Sequence, residues 1–201
     1  MIIVGVGAGP GLLTQEAIDA IRNARLIYGS QRAIDLAKFH IQPGCSVQVI
    51  DDYKKLRELP EDTVILSTGD PMLSGLGYLE GQVIPGISSM QLACARLGIS
   101  QLNIVPITLH GRAMDSDSAA RIAFEIKNGR SIFLLTDDRT DLAAICYFLE
   151  EEGLSRDIAV LTNLGYPEET IKLARTNDPI EALGLSCVII GDLVIRKSAR
   201  D

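Results

Sequence analysis

Three apolar runs in the first ninety residues each end at a turn rich in glycine and proline. They are Val4-Gly5-Val6-Gly7-Ala8-Gly9-Pro10, Ser67-Thr68-Gly69-Asp70-Pro71 and Ile84-Pro85-Gly86-Ile87-Ser88-Ser89. A short apolar run bounded by such a turn reads as a buried strand. Glycine lets main chain come within contact distance of another atom, and proline fixes the chain as it leaves the strand. Three strand ends of this kind predict one shared crevice at the carboxyl edge of a parallel sheet, where open α/β folds bind their ligands. The expected class is a small-molecule enzyme of α/β architecture.

Composition supports a packed fold around that edge. Of 201 residues, 47% are hydrophobic, which is ample for a core and excludes a disordered chain. The net charge of −7 comes from 26 acidic against 19 basic residues, and the longest basic cluster is Lys54-Lys55-Leu56-Arg57. A nucleic-acid partner calls for a basic stripe to neutralise phosphates, so none is expected. An anionic small molecule held by a few local cations remains compatible with this balance. No apolar stretch reaches the roughly 18 to 20 residues needed to span a bilayer, and a strand begins directly after Met1 without a charged leader. No membrane association and a cytoplasmic location are the expectations. Cys45, Cys94, Cys146 and Cys187 are widely spaced with no C-x-x-C pair, which reads as reduced, mostly buried thiols. With His40 and His110 as the two histidines, no metal site is expected.

Strand and helix signals alternate along the chain. A strand over 1–5 precedes a helix over 12–24, with Leu12, Leu13, Ala17, Ile18 and Ile21 at helical spacing. A strand over 26–28 ends at Gly29, and Ser30 is placed to cap the helix carrying Ile34, Leu36 and Ala37. Strands over 46–50, 63–67 and 82–84 follow, with a short helix over 52–59 and a helix over 87–97 that Gly98 ends. After a strand over 104–107, the polar stretch Asp115-Ser116-Asp117-Ser118 suggests two domains, 1–110 and 111–201. The second carries helices over 118–128 and 141–152, strands over 131–135, 158–161, 170–174 and 186–190, and a short helical piece over 179–183. Alternation predicts a mostly parallel sheet with helices on both faces in the N-terminal domain. The run of strands near the end predicts a mixed sheet with antiparallel edges in the C-terminal domain.

Each turn carries more than one reading. Gly5-x-Gly7 between a strand and a helix opens a dinucleotide fingerprint, but its third glycine falls on Pro10. The acidic residue expected about 20 positions on is also missing, because the second strand runs into Gly29-Ser30. A nucleotide-dependent dehydrogenase is therefore disfavoured, and the glycines either make a tight connection to the helix or admit a ligand. Asp70 either caps the turn before Pro71 or accepts hydrogen bonds from a ligand ammonium or hydroxyl. Ser88 and Ser89 either cap a helix or join backbone N–H groups in a donor-rich place for a ligand carboxylate or carbonyl.

Taken in order, Gly5-x-Gly7-x-Gly9-Pro10-Gly11-x-Leu13-Thr14, Gly69-Asp70-Pro71 and Pro85-Gly86-Ile87-Ser88-Ser89 resemble the tetrapyrrole methylase family of S-adenosyl-L-methionine-dependent methyltransferases. Leu109-His110-Gly111-Arg112, Phe133-Leu134-Leu135-Thr136-Asp137 and Asn163-Leu164-Gly165-Tyr166-Pro167-Glu168-Glu169 look like the branch that methylates C5 of cobalt-precorrin-7, or precorrin-6Y, in cobalamin biosynthesis. The resemblance extends over essentially the whole chain. It implies two α/β domains with the cofactor in the cleft between them, no separate Rossmann domain, and a homodimer. It places cofactor contacts on Ala8, on Gly69, Asp70 and Leu73, on Ser88 and Ser89, and, from the second domain, on Leu135, Asn163 and Leu164. Pro10, His110 and Arg112 fall on the corrinoid side. Arg112 would pair with a ring carboxylate, and His110 would manage a proton after transfer or serve a structural role. Relatives that also methylate C15 and remove a carboxyl group are longer, fused chains. C5 methylation alone is expected here, with the C15 methyltransferase/decarboxylase a separate candidate partner.

The implied chemistry needs little acid–base power, because the sulfonium makes the methyl group electrophilic and the reduced ring offers an enamine-like carbon. The demand is geometric: hold the two carbons at roughly 3 to 3.5 Å, in line, away from water. Alternatives within the same fold are methylation of another precorrin position or of uroporphyrinogen III. Relatives acting on diphthine or ribosomal RNA share the fold too, and the acidic balance disfavours RNA. A non-catalytic ligand-binding subunit is the alternative of a different class.

Overall fold

The apolar runs become strands of two separate five-stranded sheets. The computed structural model describes residues 1–109, 114–137, 139–178, 180–182 and 184–193. The first sheet draws on β1 (Ile2–Gly5), β2 (Leu26–Gly29), β3 (Ser46–Val49), β4 (Val64–Ser67) and β5 (Gln82–Ile84). Between and after them come α1 (Gln15–Asn23), α2 (Gln31–Ala37), α3 (Pro71–Ser74) and α4 (Ser89–Leu97). The helix expected over 52–59 is present as a 3-10 helix, Tyr53–Glu58, and another 3-10 turn spans Leu76–Tyr78.

The order in this sheet is β3-β2-β4-β1-β5, with every pairing parallel. Successive side chains leave a strand on opposite faces, and both faces are covered. Val4, Ile27, Val64, Leu66 and Ile84 pack with Ala17 and Ile21 of α1 and Ala33 and Ala37 of α2. Ile3 and Ile65 face the other way, into a cluster with Leu56 and Leu76 of the 3-10 segments and Leu79 just after the second. Two hydroxyls set the helix starts: the Ala17 N–H donates to Thr14 Oγ1 at 3.1 Å, and the Ala33 N–H to Ser30 Oγ at 3.2 Å.

The second sheet contains β6 (Ile104–Thr108), β7 (Ser131–Leu135), β8 (Asp157–Thr162), β9 (Thr170–Arg175) and β10 (Ser186–Gly191), in the order β6-β7-β10-β8-β9. Only β6 and β7 run parallel, so the sheet is mixed, as expected. Helices α5 (Ser116–Lys127) and α6 (Leu142–Glu151) start at Asp115 and Asp141, whose carboxylates accept the Ser118 and Ala144 N–H groups at 2.8 and 2.9 Å. Ile122 and Ile126 of α5 and Ile145 and Leu149 of α6 pack with Ile132, Leu134, Val160 and Val188 of the strands.

Two expectations meet a different outcome. The helical piece over 179–183 is not formed at its described residues, 180–182; Pro179 and Leu183 lie outside the described residues. In a piece that short the cost of nucleating a turn is offset only where neighbouring contacts fix it, as the Asp70 carboxylate fixes α3. The compact units divide at Leu92 and Ala93, within α4, rather than at 110 and 111. The run at 104–107 was expected in the N-terminal domain, but as β6 it pairs with β7. The choice of a sheet partner depends on residues distant in sequence, which the local pattern does not carry.

Candidate functional site

The three glycine turns start side by side because their strands are neighbours in register. Gly5 lies opposite Ser67 on β4, and Val4 lies opposite Ile84 on β5. Beyond the strands the main chain continues to pair across the turns. The Gly7 N–H donates to the Gly69 carbonyl at 3.2 Å, the Gly69 N–H returns to the Gly7 carbonyl at 2.8 Å, and the Ala8 N–H reaches the Ile87 carbonyl at 2.9 Å. Two glycines permit this approach. A Cβ on Gly5 would lie 2.4 Å from Gly86 N, and one on Gly86 would lie 2.1 Å from the Gly69 carbonyl oxygen. No side chain fits either position without moving main chain.

Asp70 ties the second turn to the third. Its Oδ1 accepts the Met72 N–H at 2.9 Å and caps α3, while Oδ2 accepts the Gly86 N–H at 3.1 Å. The turn-capping reading is thus realised, and lone-pair capacity remains on a carboxylate that takes one bond per oxygen. Ser88 is 4% exposed and forms a reciprocal cap. Its Oγ accepts the Gln91 N–H at 3.1 Å, and Gln91 Oε1 accepts the Ser88 N–H at 2.8 Å. Gln91 was missed as a contributor to this edge, although Ser-x-x-Gln before an apolar run is a sequence signature of the motif. Ser89 is the half-buried first residue of α4; Ala8, Gly69 and Leu73 are also half-buried, and Pro10 is exposed. His110 and Arg112 lie outside the described residues.

The second unit gathers its candidates at one end of its own sheet. Leu135 closes β7 and pairs in register with Cys187 at the start of β10. On the other side of β10, β8 ends at Thr162, and the Asn163 N–H donates to the Leu185 carbonyl at 2.8 Å. Leu135, Asn163 and Leu164 therefore flank the beginning of one strand, with Leu164 buried. Asn163 is the one non-glycine residue with positive φ (51°) among the described residues. Burial, then the nearby Cys94 and Glu169, push the Cys187 thiol up to about 12, so it is no nucleophile at neutral pH. Among the described residues no group of three or more His, Cys, Asp and Glu side chains could hold a metal ion, and no helix is long and apolar enough to cross a membrane.

Residues 1–178 match the family model for tetrapyrrole (corrin/porphyrin) methylases. The chain belongs to this family. As a tetrapyrrole methylase it is an enzyme that transfers methyl groups. It is 35% identical to the probable cobalt-precorrin-7 C(5)-methyltransferase of Methanocaldococcus jannaschii over 84% of this chain and 86% of the relative. The crystal structure of a cobalamin biosynthesis precorrin-6Y methylase from Archaeoglobus fulgidus is similar at a TM-score of 0.76 and 25% identity, covering 96% of this chain and 98% of that one. The uroporphyrin-III C-methyl transferase of Thermus thermophilus, solved with S-adenyl homocysteine, shares the fold at a TM-score of 0.76 and 20% identity, over 96% and 97% of the two chains.

Proposed function

We propose that this methylase transfers the methyl group of S-adenosyl-L-methionine to C5 of a corrinoid, cobalt-precorrin-7 or a precorrin-6Y type ring, in cobalamin biosynthesis. The observation that carries this reading is the 35% identity to the M. jannaschii relative, whose name states C(5) alone. The donor set supports the cofactor. Half-buried Asp70 offers acceptor capacity to an ammonium or ribose hydroxyl, and the turns around it bring the main chain of three strand ends together at one sheet edge.

When bound, the cofactor supplies a sulfonium-activated methyl group. The chain's own residues bind and orient. By the family resemblance, Ala8, Gly69, Asp70, Leu73, Ser88, Ser89, Leu135, Asn163 and Leu164 would hold it. Pro10, His110 and Arg112 are assigned to the corrinoid, Arg112 for a ring carboxylate and His110 for a proton released after transfer. Orientation and exclusion of water carry the rate, in keeping with an electrophile that needs no general base to be activated. By the same resemblance the protein is read as a cytoplasmic homodimer, with a C15 methyltransferase/decarboxylase as candidate partner.

The test is incubation with methyl-labelled S-adenosyl-L-methionine and cobalt-precorrin-7, with the product located by NMR. Label at C5 is expected. Label at another ring position, or transfer to uroporphyrinogen III instead, would sink the assignment. Cofactor binding without turnover across a panel of precorrins would make the chain a ligand-binding subunit.

A further inference from the structure

The segment between β8 and β9 is held in an unusual conformation by one carboxylate. Asn163 and Gly165 both have positive φ, 51° and 85°, within three residues. For asparagine this costs free energy that its surroundings must offset. The turn closes through main-chain bonds from the Tyr166 N–H to the Asn163 carbonyl (2.9 Å) and from the Glu169 N–H to the Tyr166 carbonyl (3.0 Å). Glu169 then folds back into it. Its Oε2 accepts the Gly165 N–H at 2.7 Å, and its Oε1 accepts Arg96 Nε in the last turn of α4, also at 2.7 Å. The Glu169 side chain is only 18% exposed, against 45% for Arg96. Both bonds are short and charge-assisted, the stronger kind. The same carboxylate is among the causes that raise the pKa of Cys187, the second residue of β10, after burial and Cys94.

We infer that Glu169, anchored by Arg96, is the positioning residue of the 163–169 turn and, through it, of the contacts made by Asn163 and Leu164. The inference rests on the cofactor role proposed above for those two residues. Glu169 itself touches no reacting atom in this scheme. It holds the Gly165 N–H inward, and this keeps Asn163 in the left-handed conformation that turns the chain at the end of β8. A surface ion pair alone would contribute little, but a carboxylate that also satisfies a backbone N–H leaves that donor without a partner when removed.

Two readouts on Glu169→Ala, Glu169→Gln and Arg96→Ala test this. Hydrogen exchange across 163–169, measured without cofactor, is expected to accelerate in Glu169→Ala, with a smaller change in Glu169→Gln, which keeps one carbonyl acceptor. Calorimetry with S-adenosylhomocysteine is expected to show affinity about tenfold weaker for Glu169→Ala, the scale of one lost charged hydrogen bond. Glu169→Gln, which loses the charge but keeps an acceptor for the Gly165 N–H, should retain part of the affinity that Glu169→Ala loses. Retention of this kind would not follow from a merely structural ion pair. Unchanged exchange in folded Glu169→Ala overturns the inference, and so does unchanged affinity. Should Glu169→Ala fail to fold, Glu169→Gln and Arg96→Ala decide by the same two criteria. If the wild-type protein does not bind S-adenosylhomocysteine, the functional reading fails on its own, and exchange still decides whether Glu169 restrains the turn.

Discussion

At Gly86 a single hydrogen atom decides whether three strand ends can meet. The Cβ of an alanine there would lie 2.1 Å from the Gly69 carbonyl oxygen and 2.8 Å from the Gly5 carbonyl carbon, both main chain. Gly86→Ala is expected to destabilise the protein by roughly 3 kcal/mol, the upper part of the range for overpacking, as read by urea denaturation. An alanine variant as stable as the wild type would mean that the turns separate at little cost. The glycine turns themselves were legible in the sequence, because glycine and proline directly after an apolar run seldom sit anywhere but in a turn. That Gly86 touches Gly69 and that Asp70 reaches the Gly86 N–H were not, since both contacts join residues 16 or more positions apart. The left-handed Asn163 was hidden for a related reason: asparagine tolerates positive φ without requiring it.

Among the elements, α4 has the most specified start. Ser88 and Gln91 satisfy each other's backbone N–H groups, and the Leu92 N–H bonds to the Ser88 carbonyl at 3.0 Å. Replacing either side chain by alanine is expected to cost about 1 kcal/mol. The double variant should cost distinctly less than the sum, because either change alone breaks the reciprocal pair. A denaturant-based double-mutant cycle measures this, and strict additivity would show the two caps to be independent. Most elements were readable within a residue or two, as at α2, whose Ser30 cap is announced in the sequence itself, whereas α1 starts at Gln15 after its Thr14 cap rather than at 12. The piece expected over 179–183 was too short for periodicity to distinguish from a loop, and the four-residue α3 went unread for the same reason.

Across the whole molecule, burial protects the cysteines. Cys94, Cys146 and Cys187 are buried and Cys45 is half-buried. Burial is the largest cause that pushes Cys146 and Cys187 from 9.0 up to about 12. In native protein near neutral pH, a thiol reagent is expected to modify Cys45 first and the other three only on unfolding. Prompt modification of all four would contradict the packing. The linkage runs in the same direction. A thiol whose pKa is raised in the folded state adds stability that is complete below about 9 and is lost as pH climbs toward about 12. The denaturation midpoint should therefore fall across that window. At this scale the two α/β units and the mixed second sheet were legible from the order of strand signals, whereas the unit boundary was not, because β6 finds its partner in β7 rather than in a sequence neighbour before it. The junction of the glycine turns also bears on how such a chain can change over time. It is joined chiefly by peptide groups, Gly7 to Gly69 and Ala8 to Ile87, and peptide groups are common to every sequence. Mutations can accumulate around it while the junction itself is inherited, provided that Gly5, Gly7, Gly69 and Gly86 stay free of a side chain.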